Sequence, residues 1–265
     1  MYIAPWVVVG NKFISKNKSL IINDLFFLFR CHVELIYFCV SLHFSLEKID
    51  MEKAEKFYQL RSEKVMVAFN VMEIKDCKHL DLLLSDLEGT LASHEATTLD
   101  LALHRYQNMG RGWNEEELKM HFISTILNIC DVNIPEVCKT FYERPLTGIL
   151  NGYELHVVTD CMVASYNVAG QPVRPYFFLQ EFKQAQRFGK TDPEGQMLVA
   201  MLLAQQINQN DDILYGCYVV ENNWRFTTLN GSNYCVSRQF DATKKSDLLE
   251  IVFVLRKLKS LILNK

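Results

Sequence analysis

Residues 156–184 read HVVTDCMVASYNVAGQPVRPYFFLQEFKQ, two apolar runs on either side of a turn, so part of the core has to be a sheet. The turn over 167–172 lets a strand at 153–165 fold back beside a second at 175–183. Each run nevertheless carries charge, Asp160 in the first and Glu181 with Lys183 in the second. Alternate side chains of a strand share a face, so Glu181 and Lys183 continue the line of Phe177 and Leu179, and the fold-back brings Asp160 near Glu181. Two close carboxylates raise each other's pKa unless a cation lies between them, and a hard divalent ion such as Mg²⁺ takes oxygen ligands of this kind. A plain ion pair at a sheet edge would use the same residues, and spacing alone leaves both readings open.

The flanking segments read as helices and further strands. In GWNEEELKMHFISTILNICDV, Asn114 caps a helix whose first turn holds three glutamates, favourable against the helix dipole. Phe122, Ile123, Ile126 and Ile129 form its buried stripe, and Glu115, two turns before Phe122, projects near the edge of that face. Capping alone also accounts for the glutamates. In DPEGQMLVAMLLAQQI, Asp192 caps and Pro193 takes the first helical position. ILYGCYVVE, NWRFTTLNG and NYCVSRQF alternate as strands, with ENN and Asn230-Gly231 as turns, and extend the sheet. Tyr215, Tyr218, Trp224 and Tyr234 pack there or, functionally, stack on bases. Ser246 caps a last helix with Leu248, Ile251, Leu255, Leu258 and Ile262 on one stripe. Its Arg256, Lys257 and Lys259 are solvated or, functionally, contact phosphates.

Asp160 followed on the next strand by Glu181-Phe182-Lys183 resembles the D…(D/E)-x-K signature of the PD-(D/E)XK, or restriction-endonuclease-like, phosphodiesterases, with Thr159 where that family often has proline. NEEELKMHFISTIL looks like the first core helix in the nuclease domain of type I restriction motor subunits, where a glutamate at the position of Glu115 joins the metal site. Gln196 matches a glutamine found after the lysine in several branches, able to bond the active-site groups or the nucleic acid. The resemblance covers residues 111–240 and is to uncharacterised bacterial members. It implies an α/β fold, a restriction-endonuclease-like core with a central mixed β-sheet flanked by helices and an N-terminal helical segment. It also implies a nuclease that uses Mg²⁺ or Mn²⁺ on nucleic acid, DNA in the first place. Glu115, Asp160 and Glu181 become metal ligands, with the Phe182 carbonyl as a further one and Glu116 or Glu143 as substitutes for Glu115. Asp160, Glu181, Lys183 and Gln196 become the catalytic set, with Lys183 orienting the attacking water or steadying charge on the phosphate. The alternative is a non-catalytic module that binds nucleic acid or protein on the same fold.

Composition bounds the rest. A chain of 265 residues, 49% hydrophobic and 22% charged with 11 Gly and 6 Pro, reads as one domain with helical additions. Its net charge of −3 gives no global attraction to nucleic acid, which leaves that task to a local patch. The eight cysteines show no C-x-x-C pair and no spacing for zinc, and those in apolar runs, such as Cys161 and Cys217, read as reduced buried thiols of a cytoplasmic protein.

Residues 1–50 are apolar but broken by Asp24, Arg30, His32 and Glu34, matching neither a membrane span nor a secretory signal. They read as an extension outside the natural domain, which a start at Met51 would leave out, or as an apolar helix lying on a partner or a membrane surface. Helical periodicity fills 51–110, in EKFYQLRSEKVMVAFNVMEI and again in TTLDLALHRY, with breaks at Gly89 and SHEATT. That segment is expected to pack, or to form a homodimer contact, and His104 and Arg105 to be packed or solvated. The C-terminal helix falls in 241–265.

Overall fold

The computed structural model describes residues 54–183, 192–210 and 212–264. They belong to a compact unit that begins at Ala54, and the expectations for residues 1–50 lie outside the described residues. The elements begin with β1 (Glu55–Lys56), α1 (Ser62–Phe69), β2 (Met72–Glu73), α2 (Lys78–Leu84) and α3 (Ser93–Met109). A helix then runs as α4 (Glu115–Leu118), a π-helical turn (Lys119–Ile123) and α5 (Ser124–Cys130). Strands β3 (Lys139–Leu150), β4 (Tyr153–Tyr166) and β5 (Pro172–Lys183) follow, then α6 (Pro193–Asn208). The chain closes with β6 (Leu214–Val220), β7 (Asn223–Asn230), β8 (Asn233–Val236), β9 (Phe240–Asp241) and α7 (Lys245–Leu263).

The fold is mixed α/β, a central mixed sheet with helices on both faces. The sheet runs β1-β4-β5-β6-β7-β8-β2, with β3 added on β4 and β9 on β7. Strands β3, β4 and β5 are antiparallel neighbours, and β5 and β6 lie parallel, joined through α6. Period-two alternation divides the core into two layers. Cys161, Val163, Phe178, Phe182, Val219 and Phe226 pack with α2, α3, the π turn, α5 and α7. Met162, Ala164, Leu179, Leu214 and Leu229 pack with α1 and α6 on the other face. Helix α6 is buried on most of its circumference, and a Cβ at Gly195 would run into the backbone of Leu60.

Two expectations change in the segment before 111. The continuous helix expected over EKFYQLRSEKVMVAFNVMEI is only α1, which stops where Asn70 turns left-handed (φ 53°) so that Met72–Glu73 can join β8. SHEATT does not break a helix but opens α3, because the Glu95 carboxylate accepts the Ala92 N–H at 2.8 Å. TTLDLALHRY does lie in α3.

Strand β3 has no counterpart in the sequence reading. Its hairpin to β4 turns on Asn151-Gly152, both with positive φ (50° and 79°), the conformation an Asn-Gly pair favours.

Downstream, the β7–β8 hairpin turns after Asn230 as expected, with Gly231 at φ 57°. Trp224 and Tyr234 are fully buried and Tyr215 is buried, so these three pack rather than present a stacking surface. Ser246 is not the cap of α7, whose N-cap is Lys244 without a side-chain bond, but the stripe Leu248, Ile251, Leu255, Leu258 and Ile262 is buried as expected. Arg256 is partly exposed but already engaged. It bonds Glu95 at 2.6 Å and the Ile129 carbonyl at 3.2 Å, while Lys259 donates to the Asp131 carbonyl at 2.7 Å, so both tie α7 to its neighbours.

Among the described cysteines one pair departs from expectation, while Cys161 and Cys217 are the buried thiols expected. Cys77, before α2, and Cys235, in β8, form a disulfide across 158 residues, whereas Cys130, Cys138, Cys161 and Cys217 are buried free thiols. No helix among the described residues is long and apolar enough to cross a membrane.

Candidate functional site

The site forms where the start of one helix meets the ends of two strands. Asn114 accepts the Glu117 N–H at 2.9 Å, and the Glu117 carboxylate accepts the Asn114 N–H at 2.7 Å, a reciprocal cap. Capping therefore uses Glu117 and leaves Glu115 free to turn toward the sheet. The helix widens into its π turn beginning at Lys119, a local insertion often found at functional sites.

Three carboxylates stand side by side across adjacent strands. The pairing Cys161↔Gln180 places Asp160 opposite Glu181, and the pairings Tyr142↔Cys161 and Arg144↔Thr159 place Glu143 opposite Asp160 on the other side. Glu143 adopts a left-handed φ of 50°, a costly backbone for a strand residue. Such a row of like charges is unfavourable without cations.

Two ammonium groups supply them. Lys183 Nζ lies 3.2 Å from Glu181 Oε1 and 3.4 Å from Glu115 Oε2. Lys119 Nζ lies 2.7 Å from Asp160 Oδ1, 3.1 Å from Glu115 Oε1, 3.2 Å from Glu143 Oε1 and 3.4 Å from Glu116 Oε1. A continuous path of contacts therefore runs Asp160, Lys119, Glu115, Lys183, Glu181. The second oxygen of Asp160 accepts the Phe182 N–H at 2.6 Å, so Phe182 meets the site with its N–H.

Burial sets the electrostatics. Asp160 is 7% exposed and Glu181 2%. Burial, with the charge of Asp160 adding to it, pushes the Glu181 carboxyl up to about 8, against the pull of Lys183. Burial also raises Asp160, opposed by its bonds from Lys119 and the Phe182 N–H. For Lys119, burial favours the neutral amine, but Asp160 and Glu115 outweigh it and hold the group above its ordinary value. Lys183 is likewise lowered by burial and carried above its ordinary value by Glu181, Glu115 and Asp160. Both lysines are thus cations at neutral pH.

Four of the five expected site residues are brought together: Glu115, Asp160, Glu181 and Lys183. Gln196 is not among them. It is half-buried in the first turn of α6, and no hydrogen bond among the described residues joins its side chain to the cluster. Lys119 is the addition, and Glu143, expected only as a substitute for Glu115, joins the cluster through it. A lysine four residues after Glu115 is a helical pairing visible in NEEELK, but its reach to Asp160 depends on tertiary packing.

The donor set, carboxylate oxygens without nitrogen or sulfur, suits a hard cation. Among the described residues no three such groups are posed to hold a metal ion, and the ammonium of Lys119 stands where Glu115, Glu143 and Asp160 converge. Among the cavities of the described residues, one borders the cluster and a larger one does not. One of about 350 Å³ is lined by Lys119, Met120, Tyr142, Glu143, Asp160 and Phe182. A larger one of about 530 Å³ lies toward Tyr106, Arg111, Trp113, Leu118 and Glu221, without a cluster carboxylate. The smaller of these two borders the cluster at Lys119 and Asp160. No protein-family model and no curated protein matches this chain.

Proposed function

We propose that the protein is a divalent-metal-dependent phosphodiesterase of the PD-(D/E)XK type that cleaves nucleic acid, DNA in the first place. The observation that carries this reading is the joining, through Lys119, of Asp160 on β4, Glu181 and Lys183 on β5, and Glu115 at the start of α4 into one network, of which Asp160 and Lys119 border a cavity. The element order supports a restriction-endonuclease-like core: a helix bearing the glutamate, strands bearing the aspartate and the E-x-K, then a helix leading to a parallel strand.

Glu115, Asp160 and Glu181 would hold Mg²⁺ or Mn²⁺, which when bound supplies Lewis acidity and lowers the pKa of a water. Lys183, charged and 3.2 Å from Glu181, is placed to orient the attacking water and to offset the charge that grows on the phosphate. Phe182 fixes Asp160 through its N–H, so one carboxylate oxygen keeps its orientation while the other accepts from Lys119.

A cytoplasmic location agrees with a nucleic-acid substrate and four buried free thiols, and the Cys77–Cys235 bridge weighs against it. One observation favours a second reading, a binding module that keeps the fold without catalysis: both lysines are already satisfied by carboxylates, as in a static ion-pair network. Incubating the protein with single- and double-stranded DNA and RNA separates the two. Cleavage with Mg²⁺ or Mn²⁺ that chelator abolishes is the expected result, and uncut substrates with metal bound would leave only the binding module.

A further inference from the structure

We propose that Lys119 is the resident counter-ion of this site, occupying the point where the carboxylates converge, and that a divalent cation binds by displacing its ammonium. This rests on the metal-dependent reading above, of whose ligands Lys119 holds Glu115 and Asp160, and adds what the metal must compete with.

The geometry supplies the argument. One ammonium meets four carboxylates, drawn from the helix (Glu115, Glu116), β3 (Glu143) and β4 (Asp160), at 2.7–3.4 Å. An ammonium has three N–H donors and one positive charge, so it satisfies neither the number of acceptors nor the charge around it. A divalent ion brings twice the charge to oxygens held closer, at about 2.0–2.6 Å. Ordinary surface ion pairing does not account for the arrangement, because the Lys119 side chain is 15% exposed and its shortest partner, Asp160, is 7% exposed.

The same surroundings allow the lysine to leave. Its four-carbon stem is flexible, it sits at the start of the π turn, and it borders the cavity of about 350 Å³ that reaches Asp160. Glu115 remains tethered to Lys183 through its other oxygen when Lys119 withdraws, so the ligand set is not released with it. The apparent metal affinity is reduced by the fraction of molecules in which the ammonium is in place, and removing the ammonium removes that reduction.

The test titrates Mn²⁺ calorimetrically into the full chain without nucleic acid, using wild type, Lys119→Met and Lys119→Arg. Lys119→Met should bind Mn²⁺ at least about tenfold more tightly than wild type, and Lys119→Arg, which keeps the cation, should stay within a few-fold. A second measurement needs no variant. Mn²⁺ should increase the acylation of Lys119 in the wild-type protein, read by mass spectrometry, because the displaced amine is no longer bonded to Asp160. Unchanged or weaker Mn²⁺ binding by Lys119→Met overturns the proposal, as does a Lys119 whose acylation ignores Mn²⁺, or an absence of Mn²⁺ binding in all three proteins. These outcomes are separable from the nuclease reading. Tighter metal binding without any cleavage keeps the counter-ion and loses the nuclease, and metal-dependent cleavage with an affinity indifferent to Lys119 does the reverse.

Discussion

Lys119 Nζ donates to Asp160 Oδ1 at 2.7 Å across 41 residues of sequence, joining the helix to the middle strand of the row of carboxylates. That bond sets a cation among the acids and offsets part of their charge. It also means that substitutions there act on charge balance and on chemistry together, and the two can be separated by experiment.

Lys183→Ala should lower the cleavage rate by at least about 100-fold, a few kcal/mol of barrier, without weakening Mn²⁺ binding, because the lysine contributes charge and no ligand oxygen. Asp160→Asn should weaken Mn²⁺ binding, since an anionic ligand is lost. Calorimetry beside a cleavage assay checks both, and a fully active Lys183→Ala would remove that residue from the mechanism.

In chelator, stability should fall as pH rises from about 5 to about 8. Burial pushes the folded Glu181 carboxyl up to about 8 from an ordinary 4.5, so between those values the native state keeps a proton that the unfolded chain has released. Native protonation therefore stabilises most at the acidic end, and the loss across the window is of order a few kcal/mol. Glu181→Gln cannot titrate and should flatten the slope in thermal melts followed against pH. An unchanged slope in that variant would assign the effect to another group.

Asp192 caps α6 with one oxygen, accepting the Gly195 N–H at 2.6 Å, and holds the start of α1 with the other, accepting the Ser62 N–H at 2.9 Å. Asp192→Ala should cost about 1–2 kcal/mol by chemical denaturation, and Asp192→Asn less, because the amide keeps an acceptor. Equal losses in the two variants would show that the hydrogen-bond cap is not what matters.

Replacing both Cys77 and Cys235 with serine should destabilise the fold by about 2–4 kcal/mol, since the bridge closes a long loop in the unfolded chain. Mass spectrometry of the unreduced wild type, expected to show the two cysteines linked, is the control. A variant as stable as oxidised wild type would make the bridge energetically idle.

Local patterning in this sequence specified its local elements. Alternation and a turn at 167–172 define β4 and β5, a capping residue before a helical stripe defines the helices at Glu115 and Pro193, and strand parity puts Glu181 and Lys183 on one face. These are short-range consequences of backbone geometry and of which side chains must avoid water, so they can be read from neighbours in the chain. Where local signals competed, tertiary structure chose. The pattern after Glu55 continues past Asn70 as a helix, but an edge of the sheet was available, and Met72–Glu73 pairs with β8 instead. The disulfide and the reach of Lys119 are of the same kind. Cys77 meets Cys235 only because α2 packs beside the end of the sheet, and Lys119 meets Asp160 and Glu143 only because the helix crosses strands whose register sets three carboxylates abreast. Electrostatic complementarity acts through space and leaves no period in the sequence, so the acids were visible there while the reach of Lys119 to those on the strands became visible only in the folded chain.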